Sequence, residues 1–203
     1  MKILSSYILS IAVFFCAALD LQAQQPVVGE RAPEFTLNNA LGQPVSLNSF
    51  NGKTVVLEWF NPGCPFVKKF YSKGDMPKFQ SKARELGAVW LTINSSAPGK
   101  QGYISADEAA TVAKESGLNP EQLLLDPEGK AGRAYGAKTT PHIFIVDSKG
   151  VLAYAGAIDN MPSTNSNDIS HASNYALSAV KALADNTVPN PANTDPYGCS
   201  VKY

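Results

Sequence analysis

Three stretches of the chain are apolar without alternation: Thr54–Phe60 (TVVLEWF), Ala88–Ile93 (AVWLTI) and His142–Val146 (HIFIV). Such β-branched and aromatic runs are expected of strands covered on both faces, since neither face has to meet water. Helical patterning lies between them. Ser105-Ala106-Asp107-Glu108 is a capping box, in which serine hydroxyl and glutamate carboxylate each satisfy a free backbone N–H; it opens a helix running to about Ser116, where Gly117 can stop it. Asn174–Ala184 puts Tyr175, Leu177, Val180, Leu183 and Ala184 on roughly one helical face and closes the domain. The order strand, helix, strand, helix, strand predicts an α/β domain with a largely parallel sheet and helices on its faces.

The flanking segments are punctuated differently. Val27–Phe50 offers Pro33, Gly42 and Pro44 among short apolar pieces, predicting a short hairpin or edge layer. Asp147-Ser148-Lys149-Gly150 separates the strand ending at Val146 from Val151–Ala155, the spacing of an antiparallel hairpin. From Thr187 to Tyr203 the prolines at 189, 191 and 196 predict an extended tail, so the domain proper is expected over 24–186.

Composition narrows the function classes. The chain has 203 residues, 44% hydrophobic and 17% charged, the size of one ordinary domain. Lys+Arg 17 balance Asp+Glu 17, so no chain-wide basic field exists to neutralise phosphates, and nucleic acid is not the expected partner. Three cysteines are too few for a disulfide scaffold and two histidines too few for an all-protein zinc cage, so a hydrophobic core must hold the fold.

Met1-Lys2 followed by the mostly apolar run Ile3–Leu19 and by Asp20-Leu21-Gln22-Ala23 is expected to be a secretory signal peptide over 1–23, cleaved after Ala18 or Ala23. The run is shorter than the roughly 20 apolar residues of a bilayer span and is interrupted by Ser5, Ser6 and Ser10, so no stable membrane anchor is expected. Phe14-Phe15 before Cys16 argues against a lipoprotein site. The expected location is secreted or periplasmic, where disulfides persist, and the mature chain then keeps two thiols, Cys64 and Cys199.

Trp59-Phe60-Asn61-Pro62-Gly63-Cys64-Pro65-Phe66-Val67 places a cysteine directly after a buried strand, through a Pro-Gly turn, with Pro65 where a first helical turn begins. A cysteine at a helix N-terminus meets free N–H groups and the positive end of the dipole, which favour the thiolate that does the chemistry. Lys68, four positions on, lies over the same helix face and is expected to add positive charge. An inert core cysteine is the plainer reading, but it has no need of such a turn. Thr139-Thr140-Pro141-His142 precedes another buried strand, and Pro141 is a candidate for a cis peptide bond, an ordinary trans turn being the alternative.

Together with Glu58, six residues before Cys64, these features resemble the thioredoxin-like superfamily, and within it the redoxin branch of alkyl hydroperoxide reductase and thiol-specific antioxidant relatives, closest to peroxiredoxin-like secreted members. The residues that carry the resemblance are Val28–Leu37, Trp59–Val67, Leu91–Ser96, Thr139–Pro141 and Pro196–Tyr203, nearly the whole mature chain. It implies a three-layer α/β/α sandwich with a central mixed sheet. It also implies a thiol-based oxidoreductase with Cys64 as attacking thiolate and Glu58 as the buried acid that helps move protons; a salt-bridged or half-buried Glu58 is the competing reading. Asn61, Pro62 and Gly63 with Thr140 and Pro141 would line the substrate site. The substrate is a peroxide or a protein disulfide, with a thiol reductant as partner, and neither cofactor nor metal is expected.

The chain departs from the pattern in two respects. A local thioredoxin-type pair would need a cysteine at position 67, which is Val67. The typical peroxiredoxin carries a proline seven positions and a threonine or serine three positions before its cysteine, where this chain has Leu57 and Asn61. Cys199 offers a substitute for the local pair, since the roughly 13 residues from Asn186 span about 43 Å when extended, enough to cross a domain. Two readings stay open: a resolving thiol that attacks a sulfenic acid on Cys64, or a permanent bridge that stabilises by about 4 to 5 kcal/mol in a non-catalytic peptide-binding module. Asp126–Lys130 and Pro98-Gly99-Lys100 lack the spacing of a phosphate loop. His142 reads as strand packing rather than a copper ligand with Cys64, His171 as a loop residue, and Ser95–Tyr103 as a long loop that shapes access or only lengthens the connection.

Overall fold

The computed structural model describes residues 25–119 and 121–203; the expected signal peptide over 1–23 lies outside the described residues. In chain order the strands are β1 (Thr36–Asn39), β2 (Pro44–Ser46), β3 (Val55–Trp59), β4 (Val89–Asn94), β5 (Leu123–Leu125), β6 (Thr139–Thr140), β7 (His142–Val146), β8 (Leu152–Gly156) and β9 (Cys199–Ser200). The helices are α1 (Pro65–Tyr71), α2 (Asp75–Glu85), α3 (Ala106–Glu115), α4 (Lys130–Tyr135) and α5 (Tyr175–Ala184).

A seven-stranded sheet runs β2-β1-β5-β4-β3-β7-β8, and β6 pairs separately with β9. Every residue of β3 is buried, as its unalternating sequence predicts, and the pleat divides it. Val55, Leu57 and Trp59 join Leu91, Ile93, Tyr135 and Phe144 on one face, while Val56 joins Trp90, Ile143, Ile145 and the α2 and α5 residues Ala83 and Val180 on the other. Glu58 projects into this second face and is itself fully buried.

The expected largely parallel sheet needs correcting: only β3–β4 and β4–β5 are parallel, whereas β1–β2, β1–β5, β3–β7 and β7–β8 are antiparallel. A strand buried on both faces carries no mark of direction in its side chains, and β7 enters from the opposite end because the short β6 and the turn at Pro141 feed it there. The architecture is the mixed, helix-flanked sheet of the thioredoxin-like fold. The β1–β2 and β7–β8 hairpins lie where the punctuation predicts. Ser105 caps α3 with both arms of the capping box formed.

The tail is extended, as expected, but it is docked along the body. Thr194 N–H donates to the Ala155 carbonyl, Val201 N–H to the Lys138 carbonyl, and the Lys202 carbonyl accepts from Ala97 N–H. The body is cut to receive it: a Cβ on Gly156 would meet Thr194 Oγ1 at 2.2 Å, and one on Gly132 would meet the Tyr203 ring at 2.6 Å.

Candidate active site

Cys64 is the N-cap of α1 and Pro65 its first helical residue, as the Pro-Gly turn implies. The turn is tied by Asn61, whose Oδ1 accepts from Gly63 N–H at 2.8 Å while its Nδ2 donates to the Gln101 carbonyl at 3.1 Å. Asn61 therefore uses its amide to fasten the 95–103 loop to the cysteine turn. The approach is close, since a Cβ on Gly102 would sit 2.0 Å from Asn61 Oδ1. The long loop is a structural wall of the site.

Across from Cys64 lies the Thr140–Pro141 peptide bond, which is cis. The Cys64 thiol donates to the Thr140 carbonyl at 3.1 Å, and its Sγ lies 2.7 Å from Cys199 Sγ, both cysteines being free thiols. Cys199 is brought there by the β6–β9 pairing, Thr140 opposite Cys199 and Thr139 opposite Ser200. Cys64 has 0% of its surface exposed, whereas Cys199 is half-buried, so Cys199 is the sulphur nearer to solvent.

The two thiols are electrostatically unequal. Burial pushes the Cys64 thiol up, but hydrogen bonds from the side chains of Cys199 and Thr140 and from the Cys199 and Val67 backbone outweigh it, and the net shift is down. Burial, hydrogen bonding to Cys64 and the Cys64 charge push Cys199 up to about 11. Lys68 is exposed and is not among the groups that act on Cys64. The help expected of its charge is supplied by hydrogen bonds.

Glu58 is neither salt-bridged nor half-buried. Its carboxylate accepts from Tyr71 Oη at 2.8 Å, Trp90 Nε1 at 2.9 Å and Thr92 Oγ1 at 3.2 Å. Burial raises it to about 7 against the opposing pull of the donors Trp90, Tyr71, Thr92 and Gln80. None of its hydrogen bonds goes to Cys64. The structure therefore gathers Cys64, Cys199, Thr140 and Pro141 at one point, puts Asn61 and Gly63 in the supporting turn and leaves Glu58 in a neighbouring polar cage. Pro62 lines a cavity of about 220 Å³ with Phe60, Val67, Lys68 and Tyr71. His142 packs its ring 4.3 Å from that of Phe144 and accepts from Lys138 N–H, which fits the packing reading.

Sequence reasoning missed Lys69. It is fully buried within α1, donates to the Met161 carbonyl at 2.7 Å and pairs with Asp159 Oδ2 at 3.4 Å. Tyr197 Oη, two residues before Cys199, hydrogen-bonds Asp159 Oδ1 and lies 3.4 Å from Lys69 Nζ. In the sequence Lys69 lies between the apolar Val67 and Phe70, both buried, but so does the exposed Lys68, so position alone does not single it out. A second cavity, of about 430 Å³, lies at the opposite ends of β3 and β7, among Val28, Thr54, Asp147, Leu152 and Val188. It is remote from the thiols.

No helix among the described residues is long and apolar enough to cross a membrane. The fold is shared with a hypothetical protein from Sinorhizobium meliloti, with TM-score 0.72 at 22% identity over 89% of this chain and 96% of that one. It is also shared with the thioredoxin domain of a thiol-disulfide oxidoreductase from Bacteroides vulgatus, with TM-score 0.52 at 20% identity over 71% and 96% of the two chains. In sequence the chain is 29% identical to the methylamine utilization protein MauD of Paracoccus denitrificans over 118 residues, which are 51% of this chain and 56% of MauD. Residues 28–155, more than half of the chain, match the AhpC/TSA family. A cysteine capping a helix opposite a cis-proline, on this sheet and with this match, makes the chain a member of the AhpC/TSA family, in the redoxin branch of the thioredoxin-like superfamily.

Proposed function

We propose that the protein is a secreted or periplasmic thiol oxidoreductase whose working disulfide joins Cys64 to Cys199. The observation that carries this reading is the 2.7 Å contact between two free thiols of opposite acidity, held opposite a cis-proline. In the reductive half, an outside thiolate attacks the sulphur of Cys199, the less buried of the two cysteines, in the disulfide. Cys64 leaves as the thiolate its hydrogen bonds favour, and a second outside thiol then releases Cys199, so that two protein thiols and one outside disulfide result. In the oxidative half, the Cys64 thiolate attacks a substrate disulfide, one substrate thiolate leaves, and Cys199 displaces the other from the mixed disulfide. Glu58, raised to about 7, stores a proton near the site across this cycle.

A protein disulfide is the oxidant that the site supports best, because the Asn61 amide is engaged in the turn and Leu57 stands where a peroxiredoxin carries its proline. Membership of the AhpC/TSA family favours a peroxide as the second reading. In that case peroxide oxidises Cys64 to a sulfenic acid with release of water or alcohol, and Cys199 displaces water to form the same disulfide.

The reduced protein, with Cys64→Ser and Cys199→Ser alongside, is mixed with one equivalent of glutathione disulfide or of hydrogen peroxide and followed by rapid-quench intact mass. The expected result is a Cys64–Cys199 disulfide from glutathione disulfide, a glutathione adduct on Cys64 in Cys199→Ser, and peroxide oxidation no faster than that of a free thiol. Fast peroxide oxidation, with sulfenate accumulating in Cys199→Ser, replaces the disulfide substrate by a peroxide. A Cys64–Cys199 disulfide that forms but resists reduction by excess glutathione leaves the permanent bridge of a non-catalytic binding module, and failure of both oxidants to join the cysteines overturns the proposed cycle.

A further inference from the structure

The tail does more than reach Cys64. Immediately before Cys199 it is held by a buried ionic network, and it passes the cis-proline loop at a distance that one residue type allows. Lys69 is 1% exposed and Asp159 2%, the pair is 3.4 Å apart, and the Tyr197 hydroxyl joins Asp159 on its other oxygen. The Tyr197 ring also lies edge-on to Phe66 of α1, 5.9 Å between centroids. Gly198 follows at φ +138°, and a Cβ there would lie 2.1 Å from the Thr140 carbonyl oxygen, the atom that accepts from the Cys64 thiol. Any side chain at 198 would lift the tail from the loop, and Cys199 with it.

We propose that Lys69, Asp159, Tyr197 and Gly198 form a clamp that sets the effective concentration of Cys199 at Cys64. Resting on the reading above that these two cysteines form the working disulfide, the clamp favours its closure by holding the Cys199 sulphur in place beside Cys64. Asp159 fixes the phenol, Lys69 allows that carboxylate to be buried, and Gly198 lets the chain drop onto the loop. Each is a positioning residue: it acts on the cycle through Cys199. The clamp grips the tail from α1, the helix capped by Cys64, so both sulphurs are referred to one rigid element.

The test is the redox equilibrium of the full chain with glutathione, in which the protein disulfide and two glutathione give two protein thiols and glutathione disulfide. Wild type, Tyr197→Phe, Gly198→Ala and the helix-cap variant Ser105→Ala, which leaves the clamp residues unchanged, are equilibrated over a range of glutathione ratios, acid-quenched, alkylated and weighed. Tyr197→Phe is expected to lower the stability of the disulfide about tenfold, a rise of about 30 mV in potential, and Gly198→Ala to lower it further, while Ser105→Ala matches wild type. In the reduced state both clamp variants alkylate faster at Cys64. The two variants act through different atoms, so the result does not depend on either alone. Potentials within twofold of wild type in both overturn the clamp, as does an equal loss in Ser105→Ala, which makes the effect one of general stability. If wild type forms no Cys64–Cys199 disulfide at any ratio, the reading of the cycle fails, an outcome distinct from failure of the clamp.

Discussion

Two carboxylates are buried within reach of α1, and the fold treats them oppositely. Asp159 receives a cation: Lys69, the fifth residue of the helix that Cys64 caps, pairs with its Oδ2, and the Met161 backbone N–H and the Tyr197 hydroxyl both donate to its Oδ1. Glu58 receives none. It is surrounded by neutral donors from Tyr71, Trp90 and Thr92, and burial outweighs them, raising it to about 7. Residues 69 and 71 of one short helix thus serve two different ends. A carboxylate paired with a buried cation is a fixed charge suited to gripping a chain; one held by neutral donors can change protonation near neutrality and suits a proton store. In the proposals above, the first kind sets the geometry of the site and the second its response to pH.

The contrast is broken most directly by removing the cation. Lys69→Met leaves Asp159 buried without its partner, and urea denaturation should show a loss of about 3 to 5 kcal/mol. Adding Asp159→Asn, which keeps an acceptor for Tyr197 and Met161 while removing the charge, should restore most of it. A single variant that loses less than about 1 kcal/mol would mean that the pair is a surface-like ion pair and that the grip lies elsewhere.

The next effect belongs to Glu58 and appears as pH dependence. Its folded carboxyl holds a proton up to about pH 7, whereas an unfolded one releases it near 4.5. The folded state therefore binds more protons across that window, so stability is greatest below it, falls as pH rises through it and levels off above it. The shift corresponds to about 3 kcal/mol. Glu58→Gln keeps the shape and removes the titration, so unfolding free energies measured from pH 4.5 to 8 should lose this slope. A slope that survives the substitution would assign it to another group.

How much of this was legible in the sequence follows the same division between local and distant causes. The strands β3, β4 and β7, the box-capped α3 and the existence of α5 were legible because runs, caps and periodicity are local signals, but the α5 face was read only in part: Ala176 and Ala179 are buried with Val180, Tyr175, Leu177 and Leu183 are partly buried, and Ala184 is exposed. So was Cys64, because a Pro-Gly turn between a strand and a proline-led helix leaves few other placements for the thiol. β5 was not: Leu123–Leu125 is three residues long and is a strand only because β1 and β4 flank it. Lys68 and Lys69 are adjacent and alike in sequence, yet Lys68 is exposed and Lys69 buried, and the partner that decides between them, Asp159, is 90 residues away. The tail's reach to Cys64 could be computed from its length; its fastening by Tyr197 and its close pass at Gly198 could not, since both depend on where other segments put their atoms.

The smallest predicted effect is the one that most sharpens the claim about neutral donors. Tyr71→Phe removes a single hydroxyl that donates to both oxygens of Glu58, at 2.8 and 3.0 Å, while Trp90 and Thr92 keep their bonds. Losing one hydrogen bond of this kind should change stability by about 1 kcal/mol. The informative quantity is where on the pH axis that change falls. A donor to the charged form lowers a carboxyl's pKa, so its removal should raise Glu58 further and move the upper end of its stability slope to higher pH, with the lower end, set by the unfolded chain, unmoved. Above that window the variant should be at its weakest relative to wild type, because there the carboxylate is charged and lacks a donor; below it, the two should converge. An upper end that stays in place would mean that burial alone sets Glu58, and the cage of donors would then be packing around a carboxyl that does not need it.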